Sequence, residues 1–133
     1  MADKPMERLE EVRIALLTLH KSLVDAERIS YEQTVGVIQS PNHFLQLLTQ
    51  DPWFVWLQPL SRLIVSLDVL EEEVDEPLTD AAVNQAIKEA RQLLTPSEDG
   101  EGFARHYFDA LQADADVLIS HADVMKLLGR LRQ

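Results

Sequence analysis

From Leu9 the apolar residues Leu9, Val12, Leu16, Leu19, Leu23 and Ala26 recur at alternating steps of three and four. That rhythm places all of them on one side of an α-helix and nowhere else, so a long amphipathic helix over about Met6 to Val35 is expected. The opposite face carries Glu7, Glu10, Glu11, Lys21, Asp25, Arg28 and Glu32. Its i,i+4 pairs, Lys21/Asp25 and Arg28/Glu32, contribute about 0.2–0.5 kcal/mol each, so the seam and not the charged face carries the stability. Gly36 is a suitable stop for this helix.

Two Pro-containing starts follow. Ser40-Pro41 reads as an N-cap followed by Pro at the first helical position, opening a short helix through His43, Phe44, Leu45, Leu47 and Leu48. Asp51-Pro52 repeats the device and opens a helix from Trp53 to about Val74, with Trp56, Leu60, Leu63, Leu67, Leu70 and Val74 on its apolar face. Pro59 lies inside that stretch, where its missing N–H predicts a kink, a break or a restart. Thr79 caps a helix over about Asp80 to Leu94, with Val83, Ala86, Ile87, Ala90, Leu93 and Leu94 inward. Thr95 to Gly100 is a polar loop. One last helix is expected from about Glu101 to Leu131 on an unbroken seam of Ala104, Phe108, Leu111, Ala115, Leu118, Ala122 and Met125, with Lys126, Arg130 and Arg132 near its end. No segment alternates with period two. The expectation is an all-α single domain over 1–133, an antiparallel up-down four-helix bundle with one short extra helix.

Composition narrows the function classes. Twelve Lys and Arg against 23 Asp and Glu give a net charge of −11, which opposes binding to a phosphate backbone, so nucleic acid is not an expected partner. With no Cys there is no disulfide, thiolate site or thiol nucleophile. No window is apolar enough to span a membrane, and Met1 to Glu11 is charged without an apolar run, so neither a membrane partner nor a signal peptide is expected and a cytoplasmic location is the default.

A ferritin-like Glu-x-x-His pair is missing, since Leu17, Ser40, Phe103 and Leu118 stand three residues before the four histidines. Residues four after each His are Val24, Leu47, Ala110 and Met125, which leaves no helical His pair for zinc. There is no calcium loop, phosphate loop or nucleophile elbow, and no cofactor is expected. The acidic run Asp68 to Glu76 reads as a solvated helix end, mildly unfavourable with the helix dipole.

Three constellations remain. On the first helix Arg13, His20 and Glu27 stand seven apart; on the last, Tyr107, Asp114 and His121 do the same. If those helices were neighbours the lines could form a ligand pocket, or a metal site through His20, Glu27, Asp114 and His121. Otherwise both are half-buried boundary stripes. Third, Trp53, Phe54, Trp56 and Leu57 cannot all face inward from one helix, because successive residues are about 100° apart. They are candidates for an interface with a protein partner or a second copy, unless the short helix of Phe44, Leu47 and Leu48 covers them.

The stretches Leu19-His20-Lys21 through Tyr31-Glu32 and Asp51-Pro52-Trp53-Phe54 through Leu67-Asp68 resemble a set of small uncharacterised bacterial proteins over roughly the first half of the chain. That resemblance implies a bacterial cytosolic source and carries no activity, cofactor or partner. The reading that results is a non-enzymatic interaction or self-association module. A metal- or ligand-binding bundle is the alternative, and an enzyme using Glu27 or Asp114 as general base is a third possibility.

Overall fold

The computed structural model describes residues 4–73 and 75–131, and all of the regular structure there is helical. Helix α1 spans Lys4–Thr34, α2 Pro41–Gln50, α3 Pro52–Val55, α4 Gln58–Glu72, α5 Asp80–Leu93, α6 Gly102–Ala113 and α7 Ala115–Leu131.

Helix α1 is the hub, packing against α4, α5 and α7. Its five leading seam residues, Leu9, Val12, Leu16, Leu19 and Leu23, are buried. At about 1.5–3 kcal/mol for each apolar side chain fully removed from water, the seam outweighs the exposed Lys21–Asp25 and Arg28–Glu32 pairs several-fold. Polar contacts fix the directions of its neighbours. His20 meets Ser61 and Arg13 meets Asp68, so α4 runs antiparallel to α1. Arg8 reaches the carbonyl of Leu131, and Ser22 meets Ser120, so α7 does too. The nearly buried Arg8 guanidinium also donates to Asp80 and Asn84, tying the start of α5 to the same end.

The caps act where the sequence places them. Ser40 Oγ accepts from the His43 amide at 3.0 Å, and Thr79 Oγ1 accepts from the Ala82 amide at 3.1 Å. Asp51 does two jobs: its N–H donates to Leu47 O and closes α2, while its carboxylate accepts from the Trp53 amide at 2.8 Å and opens α3. Only one turn later the chain breaks at Trp56–Leu57, and α4 starts at Gln58 with Pro59 in its first turn, where no intrahelical N–H is required. The expected Trp53-to-Val74 helix is thus two helices. The second ends at Glu72, followed by extended backbone at Glu73; Val74 lies outside the described residues.

The last segment requires a correction. Asp114 adopts extended backbone (φ −136°, ψ 120°), and its carboxylate accepts from the Val117 amide at 3.0 Å. Asp114 is therefore an N-cap, dividing the expected Glu101-to-Leu131 helix into α6 and α7. The division resets the buried face. Helix α7 buries Val117, Val124 and Leu128, while Ala115, Leu118 and Ala122 of the expected seam are exposed, Leu118 by 51%. Arg132 lies outside the described residues.

Two apolar clusters result. The larger joins α1, α4, α5, α6 and α7; the smaller gathers Tyr31, Ile38, Leu47 and Phe54 under α2, with Phe44, Leu48 and Trp53 against it. Among the described residues no helix is long and apolar enough to cross a membrane.

Candidate functional site

The two expected polar lines do not meet. Arg13 sits among the carboxylates of Glu10, Asp68 and Glu71, bonding Glu71 at 2.6 Å and Glu10 at 2.8 Å. Desolvation and the neighbouring Glu10 push the Glu71 carboxyl above its ordinary value, while the Arg13 hydrogen bond holds Glu10 below it. His20 Nε2 lies 2.9 Å from Ser61 Oγ on α4, and burial lowers its pKa. Arg13 and His20 of the α1 line therefore face α4.

The α6–α7 line is no longer a line at all. Asp114 is occupied as a cap. Tyr107, with 0% exposure, has its hydroxyl 2.6 Å from His121 Nδ1. Burial raises the Tyr107 pKa and lowers that of His121, which favours the uncharged form of both partners in this hydrogen bond. This bond joins α6 to α7 across the break and satisfies a phenol that would otherwise be buried unpaired. His20, Glu27, Asp114 and His121 thus each have separate surroundings, and no group of three or more His, Asp or Glu side chains among the described residues is arranged to hold a metal ion.

The tryptophan segment is buried by its break. Phe54 points into the smaller cluster at 0% exposure, 5.5 Å from the rings of both Tyr31 and Phe44, so α2 does cover it. Trp56 (9% exposed) and Leu57 (3%) enter the larger cluster, and Trp53 is half-buried, edge-on to Tyr31. One continuous helix could not bury all four. A single turn followed by a change of direction buries Phe54, Trp56 and Leu57 and half-buries Trp53, which corrects the expectation of surplus aromatic surface there. Larger exposed apolar side chains lie elsewhere, as at Ile14 and Leu17 on α1 and Val65 and Val69 on α4.

One constellation does form, from parts of two separate expectations. Glu27 of α1, Pro52, Trp53 and Trp56 of the broken segment, and His106, Asp109, Ala110 and Ala113 of α6 line a cleft of about 310 Å3. Glu27 is half-buried. Burial pushes its carboxyl above the ordinary carboxylate value, opposed by the charge of His106 and by the indole N–H groups of Trp56 and Trp53. Trp53 Nε1 is itself buried and closes no hydrogen bond of normal geometry. A buried donor left in that state costs about 1–3 kcal/mol, which marks the position as one where a further acceptor, or a closer Glu27 carboxylate, is favourable.

The rest of the wall is ordered by stacking. His106 lies parallel to Trp56, with ring centroids 5.3 Å apart and planes 18° from each other, and Phe103 packs on Trp56 at 5.5 Å. His106 Nδ1 is 2.8 Å from Gly102 O; a carbonyl only accepts, so Nδ1 is the donor of this bond, which fixes the ring against α6. Asp109 adds a second carboxylate, paired with the exposed Arg105 at 3.3 Å. The cleft is thus a flat aromatic wall with two carboxylates, Glu27 and Asp109, and one unsatisfied donor, Trp53 Nε1. Sequence reasoning had Glu27, Trp53 and Trp56 but passed over the α6 contribution. The signal was present: His106, Asp109, Ala110 and Ala113 stand at i, i+3, i+4 and i+7, one helix face. No family model, curated protein or solved structure matches the chain.

Proposed function

We propose that the protein is a non-enzymatic binding module of the bacterial cytosol that engages a protein partner by taking one of its side chains into the cleft between α1, α3 and α6. The observation carrying this reading is the Glu27 carboxyl held desolvated beside a buried, unpartnered Trp53 N–H. Such a pair is an unmet demand for contacts in a concave, partly apolar site, which is where recognition is concentrated. The cleft replaces Phe54 and Leu57 as the interaction surface, because those side chains are committed to the core. Its scaffold is read as an up-down quartet of α1, α4, α5 and α7, supported by the antiparallel pairings of α1 with α4 and α7.

The test uses the two indole N–H resonances, which belong to Trp53 and Trp56 alone. Capped Gly-X-Gly tripeptides, with X acidic, basic, amide or aromatic, are titrated against the protein and followed by NMR. At least one X shifts both resonances saturably, and the shift disappears in Ala113→Phe, which narrows the cleft from an exposed position and adds no indole. If no X moves them, the cleft is not a recognition site.

A further inference from the structure

We propose that the side chain the cleft accepts is an arginine, its guanidinium set between Glu27 and Asp109 and its plane laid along the wall of His106 and Trp56. This rests on the cleft being a recognition site and adds the chemistry of what enters it. Charge selects a cation. Both carboxylates of the cleft are acidic groups on a chain of net charge −11, so an approaching cation is attracted at long range and compensated on arrival, whereas an anion meets neither condition. The Arg105 contact to Asp109 does not cancel this. It is an exposed i,i+4 pair, worth little and easily exchanged for an incoming cation.

Geometry then selects guanidinium over ammonium. Glu27 on α1 and Asp109 on α6 are carboxylates on two different walls, and a guanidinium offers five N–H donors in one plane that can reach both, while an ammonium is a compact, strongly hydrated point charge. The parallel stack of His106 on Trp56 gives a flat surface of the kind on which guanidinium groups lie. The half-buried Glu27 and the buried Trp56 also favour the more weakly hydrated cation, because less hydration is lost on entry. The buried Trp53 N–H fits the same arrangement: a Glu27 carboxylate whose charge is compensated accepts from the indole and from the ligand together. A volume of about 310 Å3 accommodates an arginine side chain with room for its alkyl stem against Ala110 and Ala113.

The experiment compares capped Gly-Arg-Gly with the Lys, Gln and Glu peptides, and with methylguanidinium as a free small-molecule source of the same group, by the indole N–H shifts. The Arg peptide binds with Kd on the order of 1 mM, as a single charge-assisted side-chain contact gives. Lys binds more weakly and Glu does not bind. Glu27→Gln, which keeps shape and hydrogen bonding, weakens the Arg peptide about tenfold or more, and the exposed Asp109→Asn weakens it less, with a larger salt dependence in the wild type. Circular dichroism confirms that both variants are folded. Tighter binding of methylguanidinium than of the Arg peptide overturns the protein-borne source. Preference for Lys, Gln or Glu, or an Arg affinity indifferent to Glu27→Gln, overturns the arginine assignment and leaves the cleft reading standing. No shift with any peptide overturns both.

Discussion

Phe54→Ala separates a core residue from an interface residue. Phe54 has no exposed surface and its ring sits 5.5 Å from those of Tyr31 and Phe44, so truncation removes a full aromatic side chain and two ring pairs from a cluster that also holds Ile38 and Leu47. Burial of such a ring and the cavity left behind set the cost of Phe→Ala at about 3–5 kcal/mol. The two ring pairs, at about 0.5–1.5 kcal/mol each, are part of that figure rather than additional to it. Because α2 packs chiefly on α3 and lies at the edge of the fold, partial collapse onto the cavity is open to it, which puts the expected loss near about 3 kcal/mol. Urea unfolding followed at 222 nm measures it, with Val65→Ala, at a site 57% exposed, as the control that moves by less than about 0.5 kcal/mol. Light scattering is run on both variants. A loss below about 1 kcal/mol, or a change in oligomeric state with unchanged unfolding free energy, would refute the placement of Phe54 in the core.

Asp114→Ala removes the side chain that caps α7 and is expected to cost about 1 kcal/mol in urea unfolding, whereas Asp114→Asn recovers most of it; an unaffected Ala variant would mean that the break does not depend on this cap. Tyr107→Phe deletes the hydroxyl that meets His121 and is expected to cost about 1 kcal/mol, the net value of one such bond, with the His121 Nδ1–C–H signals in NMR reporting the freed ring. His20 and His121 are both held below the ordinary imidazole value of 6.5 by burial, so the unfolded chain protonates first. Their contribution to stability is therefore complete above about pH 6.5 and is lost as the pH falls toward their folded values; urea midpoints measured across that window should fall less steeply in His20→Asn than in the wild type, and equal slopes would count against a desolvated His20. Glu27 works in the opposite direction, because burial raises its pKa: its contribution is complete below the ordinary carboxylate value of 4.5 and is lost as the pH rises through the folded value. Glu27→Gln should accordingly be more stable than the wild type near neutral pH and lose that advantage in acid, and a less stable variant at neutral pH would show that the indole donors outweigh desolvation.

The sequence by itself determined the helices and their buried faces wherever short-range chemistry decides. On α1 the steps of three and four follow from the helical period alone, and every leading seam position is buried. Ser40, Asp51 and Thr79 start helices because a side-chain oxygen within three residues satisfies an amide that the helix cannot. Asp114 carries the same chemistry, with Asp116 in the following first turn, but Ala104 to Met125 offers an apolar repeat that runs straight through it. Only packing chose between them: with the chain broken at Asp114, Val117, Val124 and Leu128 enter the core, none of them on the expected seam, and Ala115, Leu118 and Ala122 of that seam face outward. The cleft is further still from local reading. Glu27, Trp53 and His106 are separated along the chain by dozens of residues, and no propensity or spacing within any one helix states which faces will meet. Their convergence follows from where α3 turns and how α6 folds back along α7, and those directions are set by the volume of the side chains between the helices, a property of the assembled core.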